Sequence, residues 1–173
     1  MEYQVGEIVL YGTEGICKVL GTEEKRFGNE ALMYYVLESL GKGSRIFVPF
    51  ANENLVNRIR KPLSKEEMAE LLSSVEALEL LPWCENDRER KTLHMTIVAN
   101  KGAKDLLSLA KTIEYRRVQM QENGKKLYAF DDRICRDALA LLICEIEYVL
   151  SADKENAKQM LIESWAAFAM LDE

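Results

Sequence analysis

The chain has 173 residues, of which 48% are hydrophobic and 30% are charged, and its formal net charge is −6. That length allows one large domain or two small ones with apolar cores, so folding should not depend on disulfides or metals. The net negative charge argues against a protein that coats nucleic acid non-specifically, because phosphate binding depends on clustered Lys and Arg.

Cysteine spacing and hydropathy narrow the possible classes of protein further. The four cysteines, Cys17, Cys84, Cys135 and Cys144, are scattered and include no Cys-x-x-Cys pair. Such spacing favours reduced thiols over a disulfide framework or a zinc site. No apolar run reaches the roughly 20 residues that span a bilayer, and the polar start Met1-Glu2-Tyr3-Gln4 is unlike a signal peptide. We therefore predict a cytoplasmic protein without metal or other cofactor, membrane contact or small-molecule substrate.

Charge is distributed in blocks along the chain. Acidic and basic side chains number eight and eight in residues 1–62, seven and one in 63–87, four and ten in 88–126, and ten and four in 131–173. Only the basic block is a candidate for phosphate contact. The alternative is that this block is simply the solvated face of one or two helices.

The amino-terminal third has the pattern of a small β-domain. Short runs rich in β-branched and aromatic residues alternate with glycine turns, which lie at Gly12–Gly15, Gly28–Asn29 and Gly41–Ser44. The predicted strands are Glu7–Tyr11, Ile16–Leu20, Met33–Leu37 and Arg45–Val48, with Leu55–Ile59 as a candidate fifth. This spacing predicts an SH3-like or Tudor-like barrel over residues 1–62. The barrel has no catalytic pair or phosphate-binding loop, so an exposed edge strand that binds protein is its expected use.

The rest of the chain predicts an all-α domain of about five helices over residues 63–173, which makes the fold class α+β. Ser64 and Glu67 are spaced as a capping box and mark the domain boundary. The first four helices are predicted at Lys65–Leu80, Asp87–Ala99, Ala103–Gln121 and Arg133–Leu150, the fourth being capped by Asp131 or Asp132. A fifth helix begins at Ser151 or Asp153.

Helical periodicity assigns faces to several residues. Lys104 and Lys111 should share the exposed face of the third helix, opposite its apolar stripe. His94, the only histidine, is predicted at a helix surface or cap. Trp165 and Leu171 fall in the apolar stripe of the last helix and are predicted to be core.

Trp83 does not fit a helical stripe. Pro82 lacks an amide hydrogen and disfavours helical geometry at Leu81, so Trp83 should lie in a connector or at the start of a helix. One interpretation is that the indole fills a seam between helices. The other is that it acts as a wedge against a DNA base step, since the basic block follows directly.

Several short motifs together resemble one family. The runs Val5–Tyr11, Tyr35–Leu37 and Val48–Pro49, with Gly15, resemble the amino-terminal domain shared by CarD/CdnL-type regulators and transcription-repair coupling factors. Trp83, Lys101–Gly102, Arg116–Arg117 and the apolar helix that ends in a Ser-Ala-Asp turn look like the CarD/CdnL carboxy-terminal domain. The chain is too short for a helicase coupling factor.

The resemblance implies a non-enzymatic regulator of bacterial transcription. The barrel would bind the β-subunit lobe of RNA polymerase, through Lys25, Arg26, Arg45 and Phe47. The helical domain would contact promoter DNA with weak sequence specificity and alter open-complex stability, with Trp83 as the wedge. The implied DNA contacts are Trp83, Arg88, Arg90, Lys91, Lys104, Lys111, Arg116 and Arg117.

The chain departs from the family pattern at two places. Cys84-Glu85-Asn86-Asp87 follow Trp83, where family members usually have basic residues. Phe47 stands before the Val-Pro pair, where an arginine is often found, and Arg45 lies two residues earlier on the same strand face.

Two other functions stay open at this point. The first is a polymerase adaptor that never contacts DNA, which the acidic residues around Trp83 favour. The second is an enzyme with Cys84 as nucleophile and His94 as base. The sequence shows no third residue to orient that imidazole and no cofactor motif, so we predict a protein without enzymatic activity.

Overall fold

The computed structural model describes residues 3–27, 30–165 and 168. They fall into two compact units, Met1–Pro62 and Leu63–Glu173. A five-stranded antiparallel sheet is followed by a group of helices, which confirms the α+β class. The predicted turn at Gly28–Asn29 and the predicted core residue Leu171 lie outside the described residues. None of the described helices combines the length and the apolar character needed to cross a membrane.

The sheet of the amino-terminal unit has the strand order β4-β3-β2-β1-β5. Its strands are β1 Ile8–Tyr11, β2 Ile16–Phe27, β3 Glu30–Ser39, β4 Arg45–Pro49 and β5 Ile59–Arg60. The second and third strands are longer than predicted, because their antiparallel register continues to the pair Phe27↔Glu30. The register shifts between Val19 and Gly21, and Gly21 has φ 143°, so a glycine occupies the irregular position where a side chain would be strained.

The predicted fifth strand at Leu55–Ile59 is wrong in its first half. Residues Glu53–Val56 form a short helix, α1, because the Asn52 side chain accepts a hydrogen bond from Leu55 N at 3.2 Å and caps it. The strand begins only at Ile59. Leu55 and Val56 still pack against the core of the sheet.

One side of the sheet carries the core of this unit. Its buried members are Val9, Cys17, Val19, Tyr35, Leu37, Val48 and Ile59. β4 and β5 stand at the two ends of the strand order, so β4 is hydrogen-bonded to β3 alone among the described strands. The predicted closure into a Tudor-like barrel stays a prediction.

The second unit contains five α-helices and one short 3₁₀ helix among the described residues. They are α2 Lys65–Ser73, the 3₁₀ helix Val75–Ala77, α3 Asp87–Asn100, α4 Ala103–Glu122, α5 Ala129–Leu150 and α6 Lys154–Ser164. The capping box predicted at the start of α2 is confirmed. Glu67 N donates to Ser64 Oγ at 3.1 Å, and Ser64 N donates to Glu67 Oε2 at 2.7 Å.

Two helix ends differ from prediction. α2 ends at Ser73, well before the predicted end at Leu80. At Ser73 and Ser74 the side-chain hydroxyls donate hydrogen bonds to the carbonyls of Glu70 and Leu71, which satisfies these acceptors in the last turn. α5 begins at Ala129, so neither Asp131 nor Asp132 is its cap.

The core of the helical unit is built around α4 and α5. The largest fully buried apolar side chains on these two helices are Leu106, Leu107, Leu109, Ile113, Leu139, Leu142 and Ile146. Asp153 caps α6 as predicted, by accepting a hydrogen bond from Asn156 N at 2.8 Å. Trp165 packs against the core, although it lies just past the end of α6, and its ring meets Phe168 edge-on at 4.8 Å.

Candidate functional site

The first candidate site is the β4 edge, which we define as Arg45–Pro49. Because side chains alternate along a strand, Ile46 and Val48 face the core while Arg45 and Phe47 face the other side. Arg45 is exposed and Phe47 is half-buried. Within the part of the chain that the structure describes, the edge therefore combines a strand that has no second sheet partner with one cationic and one aromatic side chain on its outer face.

Side chains of β2 and β3 support Phe47. Lys25 of β2 places its Nζ 3.1 Å from the centre of the Phe47 ring, and Tyr34 of β3 meets the ring edge-on at 6.4 Å. The structure thus brings together three of the four predicted polymerase contacts, Lys25, Arg45 and Phe47, on one sheet face. Arg26 follows Lys25 and points to the other face of the strand, where its Nε lies 3.1 Å from the Glu24 carboxylate.

The second candidate site surrounds Trp83, which lies in the connector before α3 as predicted. Asn86 caps α3 by accepting hydrogen bonds from Arg88 N and Glu89 N. On the other side of Trp83, Leu81 N donates to Thr112 Oγ1 on α4 at 2.8 Å. The indole itself is half-buried and packs against the core of the helical unit.

Three cationic or titratable side chains contact the indole. The guanidinium carbons of Arg90 and Arg116 lie 4.8 and 5.4 Å from the ring centre, and the His94 ring meets it edge-on at 5.9 Å. We define the Trp83 cluster as Trp83, Arg90, His94, Arg116 and Asp131. Its members come from the connector and from α3, α4 and α5, so the cluster joins these elements.

Arg90 is an internal residue and not the exposed DNA contact that was predicted. Only 4% of it is exposed, and its Nε and Nη2 donate to Asp131 at 3.0 to 3.3 Å. Nη2 also donates to Asp87 Oδ1 at 2.7 Å, and Nη1 donates to the carbonyl of Cys84 at 2.9 Å. The N–H donors of the guanidinium are thus engaged within the protein. Arg90 could bind a phosphate only by breaking a buried ion pair.

The prediction for His94 is also wrong, because it is buried with 3% exposure. Its Nδ1 lies 3.2 Å from Asp131 Oδ1. Burial alone would raise the pKa of the Asp131 carboxyl, but the adjacent His94 and Arg90 side chains outweigh burial and hold that pKa below its usual value. Asp131 is therefore a carboxylate at the centre of the cluster.

Lys111 is buried as well, contrary to the predicted exposed face. Its Nζ donates to the carbonyls of Val75, Glu76 and Leu78 at 2.6 to 3.1 Å. These three bonds use all the donors of the ammonium group. Lys111 therefore holds the segment between α2 and Trp83 against α4. Its buried ammonium group is not available for contact with DNA.

The remaining basic residues of the prediction do not form one patch. Arg117 donates to Glu114 and Asp132, whose carboxylates hold its pKa above the usual value against the opposing effect of burial. Arg116 lies 3.1 Å from Glu85. Lys91 donates to the Tyr128 hydroxyl at 3.2 Å.

Only two of the predicted DNA contacts, Arg88 and Lys104, are exposed and have no ion pair among the described residues. Lys104 lies in the first turn of α4, roughly 18 Å along the helix axis from Arg116 at 1.5 Å per residue. The two guanidinium groups that contact the Trp83 ring, Arg90 and Arg116, are each paired with a carboxylate. The basic block of the sequence is therefore not a continuous positive surface.

The geometry gives no support to the enzyme hypothesis. Cys84 Sγ contacts the Asn86 carbonyl and Glu89, and no hydrogen bond joins it to His94. Burial, and less so Glu14, raises the pKa of the Cys17 thiol to about 11, and burial likewise raises the pKa of Cys135, so neither thiol is activated. Across the described part of the chain, no group of three His, Cys, Asp or Glu side chains is arranged to hold a metal ion.

The residues that sequence reasoning missed are buried carboxylates. Asp131 and Glu145 have no exposed surface, and both recur at the three- and four-residue spacing of the apolar stripe of α5. A charged residue in such a stripe indicates a buried ion pair or hydrogen bond. That signal was present in the sequence.

Residues 3–61 match the family model described as the CarD-like/TRCF RID domain. The match lies within the amino-terminal unit and covers about a third of the chain. A search of curated proteins found no match to the chain. The family match ends before α2, so it covers the sheet, α1 and the β4 edge but none of the Trp83 cluster. The RID domain indicates an interaction with RNA polymerase in transcription, and this domain family is generally non-enzymatic.

Proposed function

We propose that the protein is a non-enzymatic bacterial transcription regulator that binds the β subunit of RNA polymerase along the β4 edge. The observation that carries this proposal is that β4 ends the strand order and leaves one row of backbone N–H and C=O groups outside the sheet. A strand of the partner can pair with that row, and the outward side chains then set specificity. Since RNA polymerase is its partner, the protein acts in the cytoplasm.

The side chains around β4 suit a protein partner. Phe47 is held between Lys25 and Tyr34, so little rotamer freedom is lost when a partner covers the ring. Arg45 is exposed two residues earlier and is free to pair with a carboxylate of the partner. Arg26 is proposed as a peripheral contact, because it is already paired with Glu24 and lies on the other face.

Binding of the purified β-subunit lobe to immobilised full-length protein tests the β4 edge. Phe47→Ala and Arg45→Glu should each weaken binding, by about tenfold or more if these residues are central to the interface. Arg133→Glu is the matched control, since Arg133 is an exposed arginine of α5 in the helical unit. Binding that is unchanged in both β4 variants would refute the assignment of the edge.

For the helical unit, the contacts of Trp83 favour the adaptor without DNA contact over the wedge. The indole packs on the protein core, and its neighbouring cations are paired with Asp131, Asp87 and Glu85. A wedge would have to leave these contacts to enter a base step, while the paired cations would offer little attraction to phosphates. We therefore propose that Trp83 is a structural residue of a polymerase adaptor.

The lifetime of a promoter open complex with cognate polymerase separates the two functions. The comparison is between no factor, the wild-type chain, and the Trp83→Ala and Trp83→Phe variants. As an adaptor, the chain should leave the promoter footprint of the polymerase unchanged, and Trp83→Phe should behave as wild type. An open complex that the wild type prolongs and a folded Trp83→Phe variant does not would restore the wedge and promoter DNA as a partner.

A further inference from the structure

A fixed apolar groove lies between α2 and the start of α4 in the helical unit. It has a volume of about 520 Å³. Its floor is formed by Leu71 and Ala103, which are almost completely buried, and its sides by Leu63, Ala77 and Leu78. These aliphatic lining residues suit a branched or aromatic side chain of a ligand.

Buried charges hold both sides of this groove in place. On one side, Lys111 binds the carbonyls of Val75, Glu76 and Leu78. On the other side, Leu63 N donates to Oε1 of the buried Glu145 at 3.1 Å. Since closing the groove would disrupt hydrogen bonds to two buried charged groups, we regard it as preformed, and a ligand need not spend binding energy on opening it.

The rim of the groove is predominantly acidic. Glu67 and Glu70 of α2 line it and are exposed, and Lys104 lies on the opposite side at the start of α4. Glu70 has no ion pair among the described residues. The wider segment 63–87 contains seven acidic side chains and one basic one, so the α2 side carries a negative potential.

We propose that this acidic groove, lined by α2, the 3₁₀ helix and the start of α4, docks a basic amphipathic segment of a partner protein. A leucine-like side chain of the segment occupies the groove, and its Lys or Arg residues lie against Glu67 and Glu70. The apolar floor selects for the leucine-like side chain, and the acidic rim selects for the Lys or Arg residues. DNA is disfavoured, because its phosphates would meet the same carboxylates. This site does not depend on polymerase binding by the RID domain.

The test uses the full-length protein, labelled with ¹⁵N, and two blocked peptides that differ only in charge. The basic probe is Lys-Leu-Leu-Lys-Lys-Leu-Leu-Lys, and the acidic one is Glu-Leu-Leu-Glu-Glu-Leu-Leu-Glu. Duplex DNA is the third titrant. We expect saturable shifts with the basic peptide alone, confined to the amides of residues 63–78 and 102–104.

Charge reversals on the two sides should act in opposite directions. Glu70→Lys should weaken binding of the basic peptide by about three- to tenfold, the range expected when exposed attraction becomes repulsion, while Lys104→Glu should strengthen it. Glu122→Lys is the control, because Glu122 is exposed at the other end of α4, roughly 28 Å away along the helix axis. It should leave the affinity unchanged.

Three results would overturn the proposal. The first is the absence of saturable shifts with the basic peptide, and the second is an equal response of the same amides to the acidic peptide or to DNA. The third is self-association, seen by sedimentation without peptide, that Glu70→Lys abolishes, since a second copy of the chain would then be the occupant. No polymerase is present in these measurements, so their failure is separate from a failure of the β4 edge.

Discussion

Arg90 and Asp131 form a buried ion pair in which Nε and Nη2 of the guanidinium lie 3.1 and 3.0 Å from the same carboxylate oxygen. The pair joins α3 to α5. Arg90 also holds the connector, since Nη1 donates to the Cys84 carbonyl at 2.9 Å beside Trp83. The residues that the sequence places next to the candidate wedge therefore act as internal supports of the helical unit.

Asp131→Asn should lower the free energy of unfolding by about 3 kcal/mol, because it leaves the buried guanidinium of Arg90 without its counter-charge. Urea denaturation measures the change. Asp137→Asn is the matched control, since Asp137 is exposed on the same helix, and it should stay within about 0.5 kcal/mol of wild type. Equal losses in both variants would show that the ion pair adds nothing specific.

Protonation of the Asp131 carboxylate at acidic pH should lower the free energy of unfolding of the helical unit. Because the folded pKa of Asp131 lies below its ordinary value of 3.8, its stabilisation is complete above that value. The stabilisation is then lost as the pH falls through the lowered folded pKa. Urea denaturation repeated from neutral pH to about pH 2 should give a smaller acid-induced loss in Asp131→Asn than in wild type. A variant whose pH dependence equals that of the wild type would contradict the assignment.

Lys111→Met should destabilise the chain by about 2 to 3 kcal/mol, because it leaves the carbonyls of Val75, Glu76 and Leu78 without their buried donor. Lys104→Met provides the comparison seven positions earlier on α4, where the ammonium group is exposed, and should be nearly neutral. Thermal and urea unfolding of the two variants distinguish them. A neutral Lys111→Met would mean that water replaces the lysine and that the groove is not fixed by it.

Thiol reactivity should follow burial. Cys17 and Cys135 are fully buried with raised pKa values, whereas Cys84 is half-buried and Cys144 is exposed, although partial burial also raises the pKa of the Cys144 thiol. With a chromogenic disulfide reagent at neutral pH, Cys84 and Cys144 should react in the native protein, and the other two only after unfolding. Labelled peptides identified by mass spectrometry give the assignment. Rapid native labelling of Cys17 would contradict the packing of the sheet core.

Local signals sufficed for most of the fold because they act over a few residues. The capping box at Ser64 and the break at Gly102 predicted the first residues of α2 and α4 correctly. The length of β2 and β3 was underestimated, since it depends on pairing between two strands and not on the propensity of either. The length of α2 was overestimated, because the apolar periodicity of the sequence continues past Ser73. The helix nevertheless ends there, where serine hydroxyls bond the carbonyls of its last turn.

The sites were harder to predict because a basic residue looks the same in sequence whether it is exposed or buried. Lys104 and Lys111 lie seven residues apart and were placed on one face, yet only Lys111 reaches a set of carbonyls from a segment more than 30 residues away. Arg90 similarly depends on Asp131, 41 residues later in the chain. Such long-range partners determine which cations remain available, and helical periodicity cannot supply them.

Trp83→Ala should lower the free energy of unfolding by about 2 kcal/mol, less than a fully buried tryptophan would cost, because the indole is half-buried. Trp83→Phe should recover a large part of this loss, since a phenyl ring can still pack beneath Arg90 and against His94. Urea denaturation measures both, and Trp165→Phe serves as the control for the fluorescence change. If the indole were instead a free wedge, Trp83→Ala would be almost neutral for stability. The stability of Trp83→Ala thus decides whether the packing seen around the indole contributes to folding, independently of any promoter assay.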